Sequence, residues 1–133
     1  MSLETKITLR IDWSEIDSFG HVNNVMFMKY VQAARLNFVD SIGLMKMHRT
    51  HKIGFMVAET SCKFKKELHF PGYVTVISKI NFIKNTSFSL EHTINNSDEE
   101  IVAVATDVLV VYDFNKNEKT LIPETIRLKM ELN

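Results

Sequence analysis

Asp17-Ser18-Phe19-Gly20-His21-Val22-Asn23-Asn24, with the apolar run from Val25 to Ile42 behind it, decides how this chain folds. A carboxylate sits in a turn that contains a glycine. Either asparagine is a suitable helix cap. The run that follows carries Phe27, Val31, Ala34, Phe38 and Ile42 at helical spacing, a stripe that calls for burial. Met26, Met28, Tyr30, Leu36 and Val39 widen it, so the pattern predicts a mostly enclosed helix over 24–42. Gly43 is placed to end it in the left-handed conformation. A carboxylate thereby comes to lie beside the positive end of a helix, where free backbone N–H groups stabilise negative charge.

Outward from this stretch the period changes from helical to two. Ile7, Leu9 and Ile11 alternate as in a first strand, and residues 13–17 leave it for the Gly20 turn. Residues 44–54 read as a surface connection with a short helical turn at most. Four strands follow. Met56, Ala58, Cys62, Phe64 and Leu68 share one parity in 55–68; Val74, Val76, Ile80 and Phe82 share one in 73–84. Phe88, Leu90 and Ile94 do so in 87–95, and Val102, Val104, Val108, Val110 and Tyr112 in 100–114. Each set is read as the packed face. The links Phe70-Pro71-Gly72, Lys84-Asn85-Thr86 and Asn95-Asn96-Ser97-Asp98 are short and turn-rich, which favours antiparallel neighbours. Pro123 fits the first turn of a short helix over 124–132. The expected class is α+β, with about five antiparallel strands and one long helix against their apolar face.

The totals agree with a single domain over 1–133. The chain is 45% apolar and 24% charged, as in an ordinary globule. Sixteen basic residues balance sixteen acidic ones, which leaves no global field for nucleic acid or an anionic membrane. One cysteine, Cys62, excludes an internal disulfide and fits a reducing compartment. The N-terminus is too polar for a signal peptide, and no apolar run reaches membrane-spanning length. A soluble, cytoplasmic protein is expected.

Arg10, Asp12, Asp17, then Gly20-His21-Val22-Asn23-Asn24, then Phe27, Tyr30 and Ala34-Arg35 resemble the acyl-CoA thioesterases of the hotdog fold, in the 4-hydroxybenzoyl-CoA thioesterase-like group. The resemblance implies a sheet wrapped around the central helix, and a homodimer or homotetramer with the site at the subunit interface. It implies that Asp17 attacks the thioester carbonyl or acts as base for water, and that the backbone at Asn24, or Val25 beside it, donates to the oxyanion. It implies no metal or redox cofactor, with CoA entering as part of the substrate. Read from the residues, Asp17 also fits a turn aspartate bonding its own backbone, and Asn23 and Asn24 fit plain caps. Gly20 either lets backbone approach the substrate or takes positive φ. His21 shapes the loop or contacts substrate. Tyr30 lines an acyl pocket or packs in the core. Arg35 pairs with Asp12 or Asp40.

Two positions depart from the family pattern. Phe27 stands where tyrosine is frequent, and Gln32 where an acid is. The helix holds no glutamate, which argues for the branch that uses Asp17. Lys63, Lys65 and Lys66 could meet CoA phosphates, or guard a solvated sheet edge. His48 and His51 have a spacing that can bind metal but no evident third ligand. Cys62 reads as a buried thiol rather than a nucleophile. The reading that results is hydrolysis of an acyl-CoA to free acid and CoA. Its rivals are an acyl-carrier-protein thioesterase and a non-catalytic acyl-CoA-binding protein.

Overall fold

The computed structural model describes residues 3–131. Its strands are β1 (Glu4–Arg10), β2 (Ile53–Phe64), β3 (Tyr73–Ile83), β4 (Ser87–Asn95), β5 (Ile101–Asp113) and β6 (Glu118–Lys119). Its helices are α1 (Asn24–Ser41), α2 (Leu44–His51) and α3 (Glu124–Glu131). The strands form one antiparallel sheet in the order β1-β3-β4-β5-β2, with β6 against β5. The sheet curves around α1, the architecture expected from the sequence. Among the described residues no helix is long and apolar enough to cross a membrane.

The stripe on α1 is the centre of the core. Phe27, Val31, Ala34, Phe38 and Ile42 are all buried. The burial is narrower than expected: Leu36 is exposed and Met26 and Met28 are half-buried, so α1 is covered on one side rather than enclosed. Gly43 has φ 85°, the left-handed conformation expected at the helix end. The connection after it is more ordered than expected, because α2 runs for eight residues. The helix expected over 124–132 is seen to Glu131; Leu132 lies outside the described residues.

Three expectations are corrected by the sheet. First, beyond Val102, which is buried as expected, β5 buries the opposite face. Ala103, Ala105, Leu109 and Val111 point inward, while Val104, Val108, Val110 and Tyr112 are half-exposed on the outer surface. Both parities of this strand are apolar, so alternation alone cannot choose between them. Small inward alanines leave room for Ala34 and Val31 of α1 in the same cluster. Second, β2 and β3 are not neighbours. β2 pairs β5 at one edge and β3 pairs β1 near the other. β2 stops at Phe64, and residues 65–72 cross between the edges with Leu68 buried and its carbonyl bound by Val22 N–H at 2.8 Å. Third, β2 has no buried alternating face: Met56, Val57 and Phe64 are exposed, and its register slips between Val57 and Glu59.

A polar layer divides the core into two apolar clusters. Arg35 on α1 donates to Asp107 on β5 through Nε at 2.8 Å and Nη2 at 3.1 Å. The Asp12 or Asp40 partner expected for Arg35 is therefore replaced by a residue 72 positions away. Thr60 of β2 donates to Asp107 Oδ1 at 2.7 Å, and His92 Nε2 of β4 meets Oδ2 at 2.8 Å. Ser78 of β3 bonds the other ring nitrogen of His92 at 2.7 Å. A carboxylate only accepts, so His92 Nε2 carries the proton. Burial would raise the Asp107 pKa, but the donors His92, Arg35 and Thr60 outweigh it and hold the group at about 2.

Candidate active site

The loop that carries Asp17 is closed at both ends. Ile16 and Val22 form an antiparallel bridge, and Asp17 N–H donates to the His21 carbonyl at 2.8 Å. Gly20 N–H returns to the Asp17 carbonyl at 3.2 Å, and Gly20 takes φ 85°. A side chain would strain that conformation, which accounts for the glycine. Asp17 Oδ1 accepts from Phe19 N–H at 2.9 Å and His21 N–H at 3.2 Å. Asp17 is thus a turn aspartate through one oxygen. The other, Oδ2, has no hydrogen-bond partner among the described residues.

The helix start divides its labour in a similar way. Asn23 is the cap, and its Oδ1 accepts from Val25 N–H at 3.1 Å. Met26 N–H donates to the Asn23 carbonyl at 2.8 Å. Asn24 N–H has no acceptor among the described residues. Of the two candidate oxyanion donors, Val25 is engaged and Asn24 is free.

Asp17 and Asn24 border one cleft of about 360 Å³. Its walls are His21 and Val22 from the loop, Phe27 from α1, and Phe64 to Leu68 from the end of β2 and the crossing segment. Phe27 and Phe64 meet edge to face at 5.2 Å between ring centres and form an apolar side. Lys65 is exposed and without an ion-pair partner among the described residues, whereas Lys66 is engaged by Glu100. The structure therefore brings together Asp17, His21, Asn24 and Lys65. It does not bring Gly20, Val25 or Tyr30 into the wall. Val25 is 62% exposed beside the cleft, and Tyr30 is buried in the core. Cys62 is half-buried against the core, and burial pushes its thiol pKa up, as befits packing rather than attack.

Sequence reasoning missed Glu15, which holds this loop. Its carboxylate is 3% exposed. Oε1 accepts from Tyr30 Oη–H at 2.7 Å and Asp12 N–H at 2.8 Å, and Oε2 pairs with Lys29 at 2.8 Å. Its backbone carbonyl takes Asn23 N–H at 2.8 Å, so one residue fixes the root of the Asp17 loop and the helix cap together. Burial opposes its charge, but Lys29, Asp12 and Tyr30 prevail and lower its pKa; the Tyr30 hydroxyl is pushed up, by burial and by Glu15. The available signal was an acid three residues after Asp12, at the spacing of a helix-start box. Glu15→Gln keeps the size but turns an amide toward Lys29. Urea unfolding should show a loss of about 1–3 kcal/mol, and an unchanged midpoint would mean that the Lys29 pair contributes nothing.

A family model described as the thioesterase-like superfamily matches residues 11–130. The chain belongs to that superfamily. The fold is the hotdog fold of that superfamily, and the chain takes its place among the thioester hydrolases. It is 22% identical to the long-chain acyl-CoA thioesterase FadM of Escherichia coli (strain K12), over 97% of both chains. It is 28% identical to a chloroplastic acyl-acyl carrier protein thioesterase of Arabidopsis thaliana, over 97% of this chain and 68% of that one. Among solved structures, a gentisyl-coenzyme A thioesterase superposes with a TM-score of 0.84 at 25% identity, covering 95% of this chain and 99% of that chain. In this thioesterase the matched region contains the Asp17 loop, α1 and the crossing segment that together wall the cleft.

Proposed function

We propose that this thioesterase hydrolyses an acyl-CoA to free acid and CoA at the cleft between the Asp17 loop and residues 64–68. The observation that carries this reading is the pairing of a carboxylate oxygen without a partner, Asp17 Oδ2, with an unengaged N–H at the start of α1, Asn24. Either Oδ2 attacks the thioester carbon to give an anhydride that water then opens, or it takes a proton from the attacking water. In both routes negative charge gathers on the carbonyl oxygen. The Asn24 N–H and the α1 dipole stabilise it. The C–S bond then breaks, and CoA departs as the thiolate. Phe27 and Phe64 supply an apolar wall for the acyl group or the pantetheine arm, and Lys65 supplies a charge for CoA phosphate.

The exposed β2 edge belongs to the same reading. A strand of this length that pairs only β5, with its outer edge unpaired among the described residues and Met56, Val57 and Phe64 in solvent, is a template for association, and a homodimer joined there would cover it. A cytoplasmic setting is part of the proposal and rests on the single thiol.

Thioester cleavage across matched acyl-CoA and acyl-carrier-protein substrates tests the function. The carrier-protein reading is kept because the 28% likeness is to an enzyme of that name. Binding of acyl-CoA without any cleavage would instead establish a non-catalytic protein. Lys65→Ala separates the carriers further. It should raise KM for acyl-CoA about 2- to 5-fold, the effect of one exposed charge contact, and leave kcat and the KM for a truncated, phosphate-free thioester unchanged. Equal KM shifts on both substrates would remove Lys65 from phosphate recognition.

A further inference from the structure

At the rim of the cleft stands a group of side chains that thioester hydrolysis does not require: His21, Glu67 and His69. Their donor atoms all lie within 4.8 Å of one another. His21 Nε2 is 3.1 Å from Glu67 Oε2, and His69 Nε2 is 3.6 Å from the same oxygen. Ligands on a tetrahedral ion at bond lengths of about 2.0–2.1 Å sit about 3.3 Å apart, so these separations bracket the value a bound ion would impose. The imidazole rings are 5.0 Å apart at 81°, edge to face, so they converge on the carboxylate from different directions.

The backbone beneath is built to hold this convergence. Val22 and Leu68 are both buried and are joined by the 2.8 Å bond from Val22 N–H to the Leu68 carbonyl. His21 precedes one of these anchors. Glu67 and His69 flank the other, and with Leu68 turned inward they share the outer side. His21 is further pinned at its amide and carbonyl by Asp17.

We propose that His21, Glu67 and His69 form a binding site for a divalent transition metal of the zinc class. Two imidazoles and one carboxylate suit such an ion and leave a coordination position open. His21 and Glu67 also line the cleft, so the ion would stand at its mouth. If the cleft is the hydrolytic site proposed above, occupancy obstructs thioester entry and metal acts as an inhibitor. The binding claim itself does not depend on that reading.

Calorimetric titration of the full chain with Zn²⁺ tests binding. One ion per chain is expected for wild type. His69→Ala and Glu67→Gln should each weaken it at least about tenfold, and His51→Ala, which alters a histidine outside this cluster, should leave it unchanged. Both altered cluster side chains are largely exposed, so folding should survive, and circular dichroism checks this. Visible Co²⁺ absorption of wild type, intense for four-coordinate geometry, gives a reading independent of any variant. No saturable binding, or equal affinity in wild type, His69→Ala and Glu67→Gln, overturns the site and leaves a hydrogen-bonded rim cluster only. For the inhibitory consequence, thioester loss is followed directly, since released thiol would itself bind zinc. Zn²⁺ should slow wild type, and His69→Ala should keep basal turnover and escape inhibition. Inhibition equal in both would overturn that consequence, and a chain that cleaves no thioester would refute the function while the calorimetry still decides the metal site.

Discussion

Replacing Asp17 with Asn is expected to lower kcat by about 10²- to 10⁴-fold, the range supplied by a positioned proton-transfer group. The substitution separates the loop anchor seen at Oδ1 from the catalytic duty proposed for Oδ2. Oδ1 holds the loop by accepting from Phe19 and His21, and an amide oxygen can accept both bonds, though without the charge that strengthens them. What is lost is the charge and basicity of Oδ2. The loop should therefore keep its shape, KM should move little, and the unfolding midpoint should stay close to wild type. Asp17→Ala is the necessary contrast, since it removes the loop anchors as well and should lower both stability and rate. Steady-state kinetics beside urea unfolding on both variants checks the pattern. Full activity in Asp17→Asn would reduce the carboxylate to a turn anchor and remove it from the chemistry.

The largest stability loss is expected far from that loop, at Asp107. Asp107→Ala strands the Arg35 guanidinium, which is 12% exposed, and also removes the acceptor for His92 and Thr60. Breaking a buried pair in this way costs about 3–5 kcal/mol, a large part of the roughly 5–15 kcal/mol that holds a domain together. The effect should depend on pH in a definite direction. With its folded pKa near 2 against an ordinary 3.8, ionised Asp107 contributes on the order of 2 kcal/mol through linkage. That contribution is complete above the ordinary value and fades as pH falls toward 2. Urea midpoints of wild type and Asp107→Ala should accordingly be furthest apart near neutrality and draw together on acidification. A gap that stays constant from neutrality to pH 3 and below would place the loss in packing rather than in charge. Replacing Arg35 and Asp107 together with apolar residues should recover part of the loss, because a desolvated pair is then exchanged for a filled core.

The candidate site was legible to different depths. Asp17, Gly20 and the Asn23–Asn24 cap could be read directly, because turn and cap chemistry act within a few residues. Choosing Asn24 over Val25 as the free amide needed the structure, since it depends on which asparagine turns its oxygen back. The sequence offers Lys65 as one of three lysines, and only the structure distinguishes it from Lys66, which Glu100 engages. Tyr30 illustrates the reverse. Its aromatic ring suits a pocket wall, but a buried hydroxyl needs a partner, and Glu15 is the partner within reach. His69 is less conspicuous in the sequence than the pair His48 and His51, because metal spacing in sequence is a poor guide when ligands come from separate loops.

By itself the amino-acid sequence determined the central helix, its buried stripe, the turn before it, the left-handed Gly43 behind it and the antiparallel strands around it. These follow from a 3.6-residue period, a period of two and the φ preferences of single residues, all of them local. Only the tertiary structure decided which face of β5 turns inward, that β2 and β3 lie apart, and that Arg35 meets Asp107 across 72 positions. Each of those outcomes depends on pairing between distant segments. A strand that is apolar on both faces, or a cation with several acids in range, acquires its partner only when the sum of packing and hydrogen bonding over the whole sheet is settled.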